Sequence, residues 1–320
     1  MTAPADGEEI REMSAGEAFA VLANETRIAI LRELWESGEP MSFTVLQKTV
    51  APDDTGNFNY HLGKLDGQFV RKTEDGYVLR FAGEQVVRAV LSGTITSDPS
   101  IPPVETDKRC PYCNASMEMA YREETISVRC TDCDGVVGGE FPDGTTVHFE
   151  FPPAGLTGRD HEGVVDAAHV LYDSKIAPMM KGVCPECAGS ISISHELCTD
   201  HEPDDAGLCP RCDTRFEVWS TFTCENCRYS RQSAPWFAAL NHPAVVAFYH
   251  DHGLTEKLPF RKLTADNSQF VRGVTTTVTT TDPYRFRTTI PVEDEILVVA
   301  MNEGLDVLSV ERTSQDGPPE

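Results

Sequence analysis

A chain of 320 residues that is 40% apolar is long enough for two or three domains with cores of their own. It contains no apolar run of about 18 residues, and Met1–Met13 is acidic and polar with no apolar stretch, which argues against a membrane span or secretory leader and for a cytoplasmic protein. The net charge of −24 comes from 51 Asp+Glu against 27 Lys+Arg, and an acid excess of that size ordinarily disfavours nucleic acid as a partner.

Residues 1–13 read as a disordered tail. Ser14-Ala15-Gly16-Glu17 is a capping-box pattern opening a first helix, with Phe19, Val21 and Leu22 on its apolar side. Asn24 caps a second helix in which Ile28, Leu31, Leu34 and Trp35 recur at helical spacing, ended by Gly38 and Pro40. Ser42 caps a third, holding Val45, Leu46 and Val50. Asp54 caps a fourth that runs to about Gln68, with Phe58, Leu62, Leu65 and Phe69 as its core stripe. Phe69–Lys72 and Tyr77–Arg80 flank Glu74-Asp75-Gly76 as a β-hairpin, and a closing helix spans Gly83–Leu91 with Val86, Val87, Val90 and Leu91.

That order over residues 14–97 is the order of a winged helix-turn-helix, whose helix after the turn lies in the major groove. With Phe58, Leu62 and Leu65 inward, the outward set is Thr55, Asn57, Asn59, Tyr60 and Lys64. Asn pairs with adenine, Thr and Tyr bond phosphates, and Arg71 and Lys72 at the root of the wing suit phosphate contact. His61, among core neighbours, reads as a half-buried histidine. Residues 1–97 hold 9 Lys+Arg against 15 Asp+Glu, and the remaining 223 residues 18 against 36, so the N-terminal part is the less acidic.

The segments LANETRIAILREL and GNFNYHLGKLDGQFVRKTEDGYVLR resemble the ArsR-like winged-helix regulators, in particular those of haloarchaea in which a zinc-rich region follows. The resemblance covers residues 14–92. It implies double-stranded DNA as partner and a homodimer reading two half-sites, with the first helix and Gly83–Leu91 as the dimer surface. The Cys-Val-Cys of the metal-sensing members is absent, so their sensing mechanism is not implied. Acid spread along a chain with few lysines is similar to proteins of salt-loving archaea. At 1 M salt the Debye length is about 3 Å, which lets a DNA binder tolerate an acidic surface.

Ser97–Pro103 reads as a proline-rich linker. Residues 104–152 read as short strands turning at Arg122-Glu123-Glu124 and Pro142-Asp143-Gly144, followed by a connecting helix within 160–182, Val164–Met180, that stops at Gly182. Through 104–232 run five Cys-x-x-Cys pairs, and the eleventh cysteine, Cys198, lies three residues before His201. Such regularity in a reducing compartment indicates zinc. Cys110 and Cys113 join Cys130 and Cys133 across a sixteen-residue hairpin as a zinc ribbon, residues 104–152.

The wiring of 183–232 follows from strand length. Asp213–Thr223 alternates without Gly, Pro or Asn and reads as one unbroken strand of roughly 35 Å, so the pairs at its ends cannot share an ion. Ser190–Leu197 reads as a strand of nearly equal length. Laid antiparallel, the two bring Cys184 and Cys187 to Cys224 and Cys227 at one end, and Cys198 and His201 to Cys209 and Cys212 at the other. That makes three zinc ions per chain. His195, on the apolar side, reads as core. The Gly expected after each knuckle is missing. Asn114, Asp134 and Asp213 adopt the left-handed conformation readily, Ala188 and Arg228 less so.

Residues 233–312 read as a helix, Trp236–His252, interrupted at Pro243, and then four strands, Val271–Thr281, Tyr284–Ile290, Glu295–Met301 and Leu305–Arg312; 313–320 is a tail. The expected architecture is α+β: an N-terminal winged helix-turn-helix, zinc-stabilised small β-sheets and a C-terminal antiparallel β meander. The expected function is a sequence-specific DNA-binding regulator with a small-molecule or protein effector on its C-terminal region. The alternative is a basal transcription factor acting through protein contacts. No Ser-His-Asp set, phosphate loop or open His/Glu metal site argues for an enzyme, and His250-Asp251-His252 reads as a polar helix end.

Overall fold

The computed structural model describes residues 13–254 and 270–314, so the expected tail 1–13 lies almost wholly outside the described residues. The chain divides into two compact units, Met1–Ser97 and Asp98–Glu320. The first is α1 (Ala15–Leu22), α2 (Glu25–Ser37), α3 (Phe43–Val50), α4 (Thr55–Leu65), an antiparallel hairpin of β1 (Val70–Lys72) and β2 (Tyr77–Leu79), and α5 (Phe81–Leu91). The first four helices start where a polar side chain satisfies an orphan amide. Ser14 and Glu17 close a capping box, and Asn24, Ser42 and Asp54 accept from the amides of Arg27, Val45 and Asn57. Each cap contributes about 1 kcal/mol. Ile30, Leu31, Leu46, Phe58, Leu65 and Val87 form the core between them.

Gly76 has φ +143, and a Cβ there would lie 2.5 Å from the Met41 carbonyl oxygen. Without one, Met41 and Tyr77 exchange N–H···O bonds of 3.1 and 2.8 Å, joining the segment before α3 to the hairpin. Three expectations change. The fourth helix ends at Leu65 rather than near Gln68, because Asp66 is extended and the Gly67 amide donates to the Val70 carbonyl instead. Phe19 and Leu91 are not core: they are 72% and 45% exposed.

The second unit opens with an antiparallel sheet, β3 (Ile101–Arg109), β4 (Ser116–Arg122), β5 (Thr125–Cys130) and β6 (Thr145–Glu150), in that order. The expected linker therefore ends early. Pro102 and Pro103 lie in β3, an edge strand, at a register irregularity where a missing N–H is tolerated. Next comes α6 (His161–Met179), which serves two cores. Its Val164, Val165 and Ala168 pack with Met119 and Ile126, while Ile176 and Met179 pack with Phe222 and Trp236. Buried Lys108, 2.8 Å from Asp166, fixes β3 to α6.

A second sheet holds β7 (Ile191–Leu197), β8 (Val218–Cys224) and β9 (Ser230–Ser233), with Ile191 opposite Cys224 and Leu197 opposite Val218. The strand expected over Asp213–Thr223 is thus shorter at its start. Thr214 turns back to bridge Cys209 and also Val137. The expected helix Trp236–His252 is two elements, a 3-10 turn Pro235–Asn241 and α7 (Pro243–Asp251); Pro243 opens the second, where its lacking N–H costs nothing. A four-stranded meander closes the unit: β10 (Thr275–Thr281), β11 (Tyr284–Val292), β12 (Glu295–Met301) and β13 (Val307–Ser314). The last strand reaches two residues into the expected tail.

His252 Nε2 lies 3.1 Å from Glu295, and Arg312 meets both Glu295 and Asp251, which fastens the end of α7 to the meander. Among the described residues, no helix is long and apolar enough to cross a membrane.

Candidate metal centres and the outward face of α4

The cysteines gather into three tetrads, each with its four ligand atoms within 4.8 Å of one another: Cys110, Cys113, Cys130 and Cys133; Cys184, Cys187, Cys224 and Cys227; Cys198, His201, Cys209 and Cys212. The last two are the end-to-end grouping expected from the strand lengths. Sγ atoms are 3.6 Å apart for Cys110–Cys133, 3.3 Å for Cys113–Cys130, 3.6 Å for Cys184–Cys227 and 3.5 Å for Cys187–Cys224. Four thiolates about 2.3 Å from a tetrahedral ion are about 3.8 Å apart, whereas a disulfide brings sulfurs to about 2.05 Å. The spacing therefore suits an ion, and all 11 cysteines are free.

Four of the five pairs share one turn. The amide of the first Cys donates to the carbonyl five residues on: Cys110 to Ala115, Cys184 to Gly189, Cys209 to Thr214, Cys224 to Tyr229. The residue after the second Cys then turns left-handed: Asn114 (φ 67), Ala188 (φ 57), Asp213 (φ 52), Arg228 (φ 64). Ala188 and Arg228 thus take the conformation their side chains disfavour, held by amide bonds back to Cys184 and Cys224. Cys130/Cys133 differs. Asp134 is not left-handed; Gly135 takes that role (φ 78), and a Cβ there would meet the Thr145 carbonyl oxygen at 2.3 Å.

His201 is set up as a ligand through one nitrogen. Its Nδ1 lies 3.6 Å from Cys212 Sγ, and its Nε2, 3.3 Å from the Arg215 carbonyl, donates there. That hydrogen bond leaves the Nδ1 lone pair for an ion. The thiols differ in acidity. Burial pushes Cys110 up to about 11, whereas hydrogen bonds from the Asn226 side chain and the Gly189 amide hold exposed Cys187 down at about 6.

Arg215 was not among the expected site residues, yet it joins the first and third tetrads. Its Nε donates to Gly135 at 2.6 Å, its Nη2 donates to Ala206 at 3.2 Å and lies 4.0 Å from Cys133 Sγ, and it sits 4.1 Å above the Tyr112 ring. Its sequence signal is slight: one Arg three residues past Cys212. His195 is the satisfied core histidine expected, bonded to Ser220 and the Glu303 carbonyl between Tyr284 and Phe286.

Residues 107–307 match the family described as "Domain of unknown function (DUF7351)". The chain belongs to that family. Residues 15–90 match a second, "Domain of unknown function (DUF7347)". No curated protein and no solved structure matches the chain.

In the DUF7347 segment, α4 divides cleanly. Phe58, His61, Leu62 and Leu65 are buried; Thr55, Asn57, Asn59, Tyr60 and Lys64 are exposed, as are Arg71 and Lys72. Lys64 lies over the Tyr60 ring at 5.5 Å, and Lys72 over Tyr77 at 5.9 Å. His61 is more buried than expected, at 7% exposure.

Proposed function

We propose that the chain is a zinc-stabilised, sequence-specific DNA-binding transcription regulator acting as a homodimer, with residues 14–97 as a winged helix-turn-helix. The observation that carries the reading is the polar face of α4. Asn57, Asn59, Tyr60 and Lys64 meet solvent, with basic Arg71 and Lys72 on the following strand. Asn reads base edges and the cations take phosphates. Zinc fits the tetrads as a borderline-soft ion that prefers four tetrahedral sulfur or nitrogen ligands. Saturated coordination favours a structural role for it and a binding protein over a catalyst.

Selection of bound sequences from a random DNA pool, in concentrated potassium chloride, is expected to return a two-fold-symmetric motif. Asn57→Ala with Asn59→Ala should flatten the preference at the contacted bases, each lost contact costing about 1–3 kcal/mol. Lys72→Ala should weaken specific and random DNA alike. Binding without any motif would sink the sequence-specific reading and favour a basal factor.

The dimer is supported by large apolar side chains left at the surface of α1 and α5: Phe19 at 72%, Phe81 at 71% and Leu91 at 45% exposure. Phe19→Ser with Leu91→Ser is expected to give monomers by light scattering with helix content unchanged. A persisting dimer would place the interface elsewhere.

A further inference from the structure

We propose, on the reading of the tetrads as metal centres, that the first and third form one coupled unit. An ion at either centre tightens binding at the other, and Arg215 is the positioning residue that both share.

One side chain reaches both knuckles of the first centre. The guanidinium lies 4.1 Å above the ring of Tyr112, which sits between Cys110 and Cys113. Its Nε donates at 2.6 Å to the carbonyl of Gly135, two residues past Cys133, and its Nη2 lies 4.0 Å from Cys133 Sγ itself. The same residue frames the third centre. Its carbonyl accepts from His201 Nε2 at 3.3 Å, which leaves Nδ1 beside Cys212. Its Nη2 donates at 3.2 Å to the Ala206 carbonyl, in the loop between His201 and Cys209. Gly207, with φ +105, leaves room for the guanidinium, which a Cβ there would strike.

The backbone repeats the linkage. The Arg215 amide donates to the Val136 carbonyl at 2.9 Å, and the Gly138 amide to the Asp213 carbonyl at 2.8 Å. Asp213 is the left-handed residue after Cys212, while Val136 and Gly138 lie in the loop after Cys133. Neither segment is helix or strand, so each depends for its shape on its own ion and on the other segment. Ordering one on its ion sets out the hydrogen-bond partners of the other, and the second ion then finds its ligands already held.

Charge opposes this, and Arg215 answers it. Filled with zinc(II), the first centre with its four thiolates is a net dianion, and the third with three thiolates and a neutral imidazole a net monoanion. Two anionic centres within reach of one side chain repel. A guanidinium between them, charged at any working pH, offsets that repulsion. The second tetrad lies at the far end of the β7–β8 pair and serves as an internal control.

The test loads the full chain with cadmium, without DNA, in concentrated sodium sulfate, which competes for cadmium far less than chloride does. Cadmium NMR distinguishes the third centre by its nitrogen ligand, and Cys110→Ser and Cys184→Ser identify the signals of the other two. A graded chelator is expected to remove the first and third signals in parallel. Cys209→Ser should weaken retention at the first centre by about tenfold, within the range of about 5–150-fold usual for coupled sites, and Cys184→Ser should not. Arg215→Met should weaken the first and third by about tenfold each, as loss of an outer-shell partner does, and leave the second unchanged. Circular dichroism verifies that Arg215→Met is folded; if it is not, the comparison of Cys209→Ser with Cys184→Ser decides alone. Equal loss at all three centres would mean general unfolding and would overturn the coupling. So would a first centre that Cys209→Ser and Cys184→Ser affect alike, or a folded Arg215→Met that holds its metal as before. A chain that binds no cadmium would sink the metal reading and the coupling with it, whereas independent centres would sink the coupling alone.

Discussion

Stripping metal from the full chain with a chelator is expected to unfold residues 98–320 and to leave the helices of residues 14–97 formed. The two units differ in what closes them. The N-terminal unit has a continuous apolar core and four capped helices. In the second, β4 follows Cys113 and β5 ends at Cys130, both ligands of the first tetrad, and β7 and β8 are held at both ends by the other two. Removing an ion leaves three or four close thiols whose negative forms repel, together with, in the second tetrad, two left-handed turns, at Ala188 and Arg228, that only the knuckle geometry sustains. Zinc bound in small structural sites contributes apparent energies of about 10–16 kcal/mol, more than a typical domain's net stability. Loss should be steeper in acid, because protons compete for thiols such as Cys110, whose burial pushes it up to about 11.

The grouping of ligands gives the sharper test. By elemental analysis the unaltered chain should hold three ions. Cys184→Ser and Cys224→Ser should each lose one, and the pair together no more than one. Cys184→Ser with Cys209→Ser should lose two. If Cys209 and Cys224 behaved as one site, or the chain held a single ion, the three-site assignment would be wrong.

That grouping was legible in the sequence because it needed only distance. Cys212 and Cys224 stand at opposite ends of a run without a turn residue, and they remain apart even though Thr214 bends back and the strand begins only at Val218. The bend left no mark in the sequence because Thr214 bridges Val137, in the loop between β5 and β6, a partner far away in the chain. The helix starts were legible because Ser14, Asn24, Ser42 and Asp54 act on amides three residues on. Phe19 misled because periodicity names an apolar side without saying whether the same chain covers it. Ala188 and Arg228 misled because intrinsic preference, worth about 1–2 kcal/mol against the left-handed form, yields to a turn that places two sulfurs on one ion.

Transfer of the protein from concentrated salt to dilute buffer is expected to unfold it, even with metal bound. Ion pairs such as Lys108 with Asp166 and Arg312 with Asp251 and Glu295 use up some acids, but 51 acids against 27 cations leave 24 negative charges with no counterpart. A compact fold crowds them together while the unfolded chain spreads them, so repulsion acts against folding. The range of that repulsion is the Debye length, about 10 Å at 0.1 M and about 3 Å at 1 M. In dilute buffer each carboxylate feels many others; in concentrated salt it feels only its nearest neighbours. Circular dichroism across a salt series should show structure lost as ionic strength falls. Sodium and potassium chloride should rescue it equally at equal ionic strength, and sucrose much less, since sucrose screens nothing. A chain fully folded in dilute buffer would refute the salt requirement. Rescue by sucrose as strong as by salt would assign the deficit to weak burial in place of charge. The same screening bears on the proposed function. It removes the long-range repulsion between an acidic protein and DNA, and leaves recognition to groups in direct contact, which under the proposed function would be the exposed Asn57, Asn59, Tyr60, Lys64, Arg71 and Lys72.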